Sequence, residues 1–124
     1  MELQAKHRGY SFSDADRLLK RHQFVYLADH GKKVQNQYFV GFFESSRVER
    51  CRLGITVSRR VGKAVTRNRI KRVVREYFRI NRSIFKHLWD IHLIAKKEAA
   101  ACNTRSTMMA LEQIFKRIES TANG

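Results

Sequence analysis

The stretch RVGKAVTRNRIKRVVREYFR, Arg60 to Arg79, is strongly basic and yet keeps an apolar residue every three or four positions. At about 100° per residue, Ile70, Val73, Val74, Tyr77 and Phe78 gather on one arc. Asn68, Lys71, Arg72, Arg75 and Arg79 fall on the far side, and Arg69 and Glu76 share a flank. The spacing predicts an amphipathic helix from about Lys63 to Arg79, docked by its apolar arc, rather than a free basic arm.

The polar side of that helix has three readings. It is a solvated face, a membrane-surface or calmodulin-target helix, or a surface for a polyanion. Solvated faces mix signs, whereas this one carries a single acid, Glu76. A membrane helix would spend the apolar arc that the core needs. Just upstream stand Arg59, Arg60 and Lys63, and a helix start offers free N–H groups and the positive end of the macrodipole, both suited to phosphate. Clustered arginines suit RNA through forked phosphate contacts and stacking. Asn68, between Arg67 and Arg69, is either a polar residue of the helix start or a directional donor and acceptor for a backbone, a hydroxyl or a metal-bound water.

The rest of the chain supports a polyanionic partner. It has 124 residues, one domain's worth, and 43% of them are apolar, enough for a core. Lys and Arg number 26 against 11 Asp and Glu, a formal charge of +15, and a compact domain at that charge repels itself. No window has the length and apolarity of a membrane span, and the start MELQAKHRGY lacks the apolar run of a signal peptide. Cys51 and Cys102 are far apart without CxxC spacing, which reads as reduced thiols in a cytoplasmic protein.

Outward from the basic helix, RLGITVS alternates Leu53, Ile55 and Val57 with Gly54, Thr56 and Ser58, which predicts a strand with one core face and one small polar face. QYFVGFFES and DIHLIAKK are further strands, and FVYLAD is a strand candidate followed by a turn in HGKKVQN. SDADRLLKR, with Ser13 and Asp16 spaced as in a capping box, predicts a first helix over about residues 14–21. TRSTMMALEQIFKRIES carries Met108, Leu111, Phe115 and Ile118 at helical spacing, a core-packing stripe. The order is α-β-β-β-α-β-α, an α+β two-layer sandwich with helices packed on a four-stranded sheet. Residues 1–124 form a single domain with an ordered core over about 8–120.

Catalytic patterns do not emerge. His7, His22, His30, His87 and His92 lack metal-ligand spacing, and the acids are scattered rather than paired for two-metal chemistry. Neither a catalytic residue nor a protein metal site is assigned.

SRRVGKAVTRNRIKRVVRE resembles the signature of the bacterial ribonuclease P protein subunit, with RNR in a helix that begins soon after a Ser-basic-basic strand end. The element order over about residues 8–120 is also similar. The resemblance implies a ribosomal-protein-like RNA-binding fold. It also implies a small partner of a catalytic RNA that removes the 5′ leader of precursor tRNA by Mg²⁺-dependent hydrolysis, with Mg²⁺ bound mainly by RNA and substrate. On the matching positions it implies that Arg59, Arg60, Lys63, Arg67, Asn68, Arg69, Lys71, Arg72 and Arg75 face ribonuclease P RNA. It places the leader between the first helix and the exposed sheet face, at Gly54, Thr56 and Ser58, with Phe39 as the stacking residue; the register of Tyr38, Phe39, Phe42 and Phe43 leaves open which aromatics face it. The aromatic that the family has after the acid of the first helix is Ala15 here. Phe12 either replaces it or caps the core. Composition alone also fits a structural RNA-binding protein of ribosomal type.

Overall fold

The computed structural model describes residues 13–18 and 20–123. In chain order it runs α1 (Arg21–His30), β1 (Lys32–Gln35), β2 (Phe39–Ser45), β3 (Arg52–Thr56), α2 (Ala64–Asn81), β4 (Trp89–Ala95) and α3 (Thr104–Ser120). The order is the expected one. Three local assignments differ from the sequence reading, two of them in adjoining segments. FVYLAD is not a strand but most of α1, and the first strand is Lys32–Gln35, inside the segment read as a turn.

The reasons are physical. A short apolar run carries no periodicity of its own, and here Phe24 and Leu27, one helical turn apart, are the residues that α1 turns to the sheet. β1 is an edge strand whose residues are mostly exposed, so it lacks alternation; its two lysines are the usual protection of an open edge. The expected helix over 14–21 shrinks to a 3₁₀ turn, Asp14–Asp16. Asp16 does receive the backbone N–H of Ser13 at 2.9 Å, as in a cap. The chain then extends along the β3 edge, with Leu18 N–H donating to the Leu53 carbonyl at 3.1 Å. Helix α1 begins only after Lys20, whose N–H is capped by the Gln23 side chain at 2.9 Å.

The sheet order is β1-β2-β4-β3. β4 pairs antiparallel with β2 and parallel with β3, so α2 is the crossover of a βαβ unit. The β1–β2 turn is held by Asn36, whose Oδ1 accepts from the N–H groups of Tyr38 and Phe39, each at 2.9 Å.

Register divides the two faces. Phe39, Phe43, Leu53, Ile91, Leu93 and Ala95 point toward α2 and α3 and are buried. They meet Ile70, Val74, Tyr77 and Phe78 of α2 and Leu111, Ile114, Phe115 and Ile118 of α3 in one core. The five apolar residues of the helical arc are the five buried residues of α2. Met108 packs against the core's border. The opposite face carries α1, with Leu18 beside it.

Candidate RNA interface

α2 presents its polar side outward because its apolar arc is consumed by the core. Asn68 and Arg72 are exposed, and Lys71 and Arg75 are half-exposed. Arg59, Arg60 and Lys63 stand exposed in the turn before the helix, and Val61 between them is buried and anchors that turn. No side chain caps the N-terminus of α2. Its first N–H groups therefore lie beside three cations, an arrangement that suits phosphate oxygens. Glu76, the lone acid, is neutralised by Arg79 three residues on, which pulls its carboxyl below the usual range.

Two arginines of the motif have partners inside the protein. Arg67 donates Nε–H to the Gly62 carbonyl at 3.1 Å, bracing the helix start. Arg69 donates to the carbonyls of Cys102 at 2.9 Å and Ala100 at 3.3 Å. Arg69, expected to face the RNA, is half-buried, and its guanidinium ties α2 to the segment before α3. Its place on the helix flank, off the basic arc, was the signal for this. Arg75 is also partly desolvated, and burial followed by the nearby Arg17 charge lowers its pKa.

On the other face, the cross-strand row Phe42, His92, Gly54 lies next to the row Val40, Ile94, Thr56. Helix α1 covers part of it. Phe24 stacks on His92 with ring centroids 4.1 Å apart and planes 21° from parallel. Thr56 Oγ1 and His92 Nε2 are hydrogen-bonded at 2.8 Å. Val40, Phe42 and Ile94 remain half-exposed and Thr56 exposed, which leaves a groove along α1 with Lys33 at its far side, 6.0 Å from the Phe42 centroid. Leu18, Tyr26, Leu27, Arg52 and Asp90 line a separate cavity of about 340 Å³ under α1. Its carboxylate is satisfied: Asp90 receives both arms of Arg52 at 2.9 and 2.8 Å.

Two leader-binding expectations change. Phe39 is fully buried on the helix-covered face, so it is not available to stack a base; alternation puts Phe42 on the groove instead. Gly54 is buried as well. A Cβ there would lie 2.4 Å from Phe24 Cε1, so the space it leaves is filled by Phe24 rather than open to a ligand. Thr56 and Ser58 are exposed. Phe12 lies outside the described residues. Sequence reasoning missed Phe24 and His92, because Phe24 was placed in a strand and a lone histidine gives no local sign of its stacking partner.

Among the described residues no three His, Cys, Asp or Glu side chains come together to hold a metal ion, and no helix is long and apolar enough to cross a membrane.

Comparison with known proteins gives one answer. The ribonuclease P family model matches residues 12–119. The chain is 47% identical to the ribonuclease P protein component of Desulforapulum autotrophicum, over 88% of this chain and 93% of that one. It is 48% identical to that of Desulfatibacillum aliphaticivorans, over 88% and 92%. The solved RNase P protein of Staphylococcus aureus superposes with a TM-score of 0.80 at 34% identity, covering 85% of this chain and 96% of that one. That of Thermotoga maritima gives 0.74 at 36%, covering 82% and 96%. With its RNR helix docked as the motif requires, this chain belongs to the ribonuclease P protein family, the protein components of the endoribonuclease that processes the 5′ end of tRNA.

Proposed function

We propose that the protein grips ribonuclease P RNA along the outer face of α2 and the turn before it, and holds the 5′ leader of precursor tRNA in the groove between α1 and the sheet. The observation that carries this is the split of α2: five buried apolar residues on one arc and an almost acid-free basic face on the other. The RNA face consists of Arg59, Arg60, Lys63, Asn68, Lys71, Arg72 and Arg75, with Arg67 bracing the helix start. Its contacts are phosphate contacts that position rather than specify. The groove supplies what a single strand needs, namely ring surface at Phe24 and Phe42, small polar groups at Thr56 and Ser58, and the Lys33 charge.

The hydrolysis belongs to the RNA. The buried carboxylates Asp16 and Asp90 are both paired with arginines, so neither is placed as a general base or as a metal ligand. Mg²⁺ is held by RNA and substrate phosphates, and the protein's contribution is charge and leader contact in the cytoplasm, where precursor tRNA is made. The residues described do not themselves fit a Mg²⁺ site. A structural RNA-binding role of ribosomal type is not favoured, given the family match.

The test is reconstitution. Transcribed ribonuclease P RNA and precursor tRNA are mixed at low Mg²⁺ with and without the protein. Cleavage at the mature 5′ end should depend on the protein, and an equal rate without it would reject this function.

A further inference from the structure

We propose that His92 is a positioning residue of the groove, fixing the ring of Phe24 with its flat face and the hydroxyl of Thr56 with its edge, so that both are presented together to a single-stranded ligand. This rests on the groove reading above and adds to it a residue that the RNR signature does not include.

The geometry carries the inference. Phe24 is boxed on several sides. The His92 ring lies parallel to it at 4.1 Å. The backbone at Gly54 approaches so closely that no Cβ would fit, and an added Cβ would also stand 3.2 Å from Leu18 Cβ. Among the neighbours named, the histidine is the one with a polar side chain. His92 is buried in the interior strand β4, between Phe42 and Gly54 in the cross-strand row. An aliphatic side chain would fill that place without the cost of burying a polar ring. What the imidazole adds is a flat face and a hydrogen-bonding edge. The face meets Phe24 and the edge meets Thr56, which is exposed in the groove. The ring is kept neutral, since burial pushes its pKa down to about 4, so it stacks as an uncharged aromatic throughout the neutral range. The platform and the hydroxyl are therefore linked through one side chain.

A positioning residue must act through the residue it positions, and a double-mutant cycle reads that directly. Holoenzyme is reconstituted with ribonuclease P RNA, and affinities are measured for precursor tRNA and for mature tRNA, which has no leader. Phe24→Ala should weaken precursor binding by about ten-fold, the scale of one lost base stack, and leave mature tRNA unaffected. His92→Leu should weaken precursor binding by roughly three- to five-fold, again without effect on mature tRNA, since part of that stack is lost. The double variant should be weaker than Phe24→Ala alone by about two-fold at most, the share of the Thr56 hydroxyl, so the two losses should not multiply in full. His92→Phe, which restores the flat face, should recover most of the loss.

Losses that multiply in full in the double variant would show that His92 acts independently of Phe24 and would overturn the proposal. So would a His92→Leu variant that binds like the wild type. If Phe24→Ala leaves precursor affinity unchanged, the groove reading itself fails and His92 loses its role with it. Should His92→Leu not fold, Thr56→Val removes the exposed partner hydroxyl without touching the core. It should then cost about three-fold in the wild-type background, where the hold on His92 is lost as well, and about two-fold in the Phe24→Ala background, where only the hydroxyl's own contact is left to lose; an equal cost in the two backgrounds would again contradict the proposal.

Discussion

Asp16 and Arg82 form an ion pair of 2.8 Å that joins the N-terminal turn to the residue capping the C-terminal end of α2. The same Asp16 oxygen also receives Arg50 at 3.0 Å, from the loop between β2 and β3. One carboxylate, 4% exposed, thus gathers three segments that are distant in sequence.

Removing that charge leaves two arginines facing a site built for an anion. Breaking a buried pair in this way costs about 3 kcal/mol. Asp16→Asn should therefore lower the urea midpoint markedly with little change in slope. An unchanged midpoint would mean that the hub is incidental.

The two kinds of arginine in the motif should separate experimentally. Arg72→Ala removes an exposed cation, so the salt slope of RNA binding should fall by about 0.7 to 0.9 while folding stability stays the same. Arg69→Ala frees two backbone carbonyls from their donors, which costs roughly 1–3 kcal/mol of stability, and should move the slope little. Asn68→Ala should lower RNA affinity without altering the slope, since it removes direction rather than charge. Matching salt slopes for Arg69→Ala and Arg72→Ala would put Arg69 on the RNA after all.

His92 gives stability a pH dependence with a definite sign. Its folded-state pKa is pushed down to about 4 by burial, from an ordinary value of 6.5. Between those values the unfolded chain binds a proton that the folded chain refuses, so stability falls as pH drops through that window. Phe24 and Thr56, which face the ring, do not titrate there. Urea midpoints at pH 7 and pH 5 should differ less for His92→Leu than for the wild type. Equal differences would assign the dependence to other groups.

Burial also governs the thiols. Cys51 is buried, and its pKa is raised chiefly by desolvation. Its sulfur accepts the Trp89 N–H at 3.3 Å. Alkylating reagents should modify it only on unfolding, and a Cys51→Ser, Cys102→Ser double variant should still stimulate the RNA. Rapid native-state labelling of Cys51, or loss of stimulation in a folded double variant, would contradict this.

What could be read from the sequence followed from how local the deciding interactions are. The apolar arc of α2 repeats every three or four residues, so both the helix and its buried face were legible. The Leu53, Ile55, Val57 alternation set β3 in the same way, although Ile55 stays partly exposed at its border. α1 was misread because FVYLAD contains too few turns to show a period, and β1 because an edge strand of Lys32, Lys33, Val34 and Gln35 has no buried face to declare itself. Phe39 and Phe42 exchanged roles through a register that only pairing with Ala95 and His92 decides. The inward turn of Arg69 and the Phe24–His92 stack depend on segments brought together by the fold, and no spacing along the chain records them.

The central claim is that the α1 side of the sheet holds the leader while α2 holds the catalytic RNA. Its most direct test is the affinity of reconstituted holoenzyme for precursor and mature tRNA with Thr56→Trp. Thr56 is exposed, so the indole blocks the groove without adding charge or disturbing the core. Precursor tRNA should bind about ten-fold more weakly, the scale of one displaced base contact, while mature tRNA and ribonuclease P RNA bind as before. Equal weakening of precursor and mature tRNA, or no change in either, would contradict it.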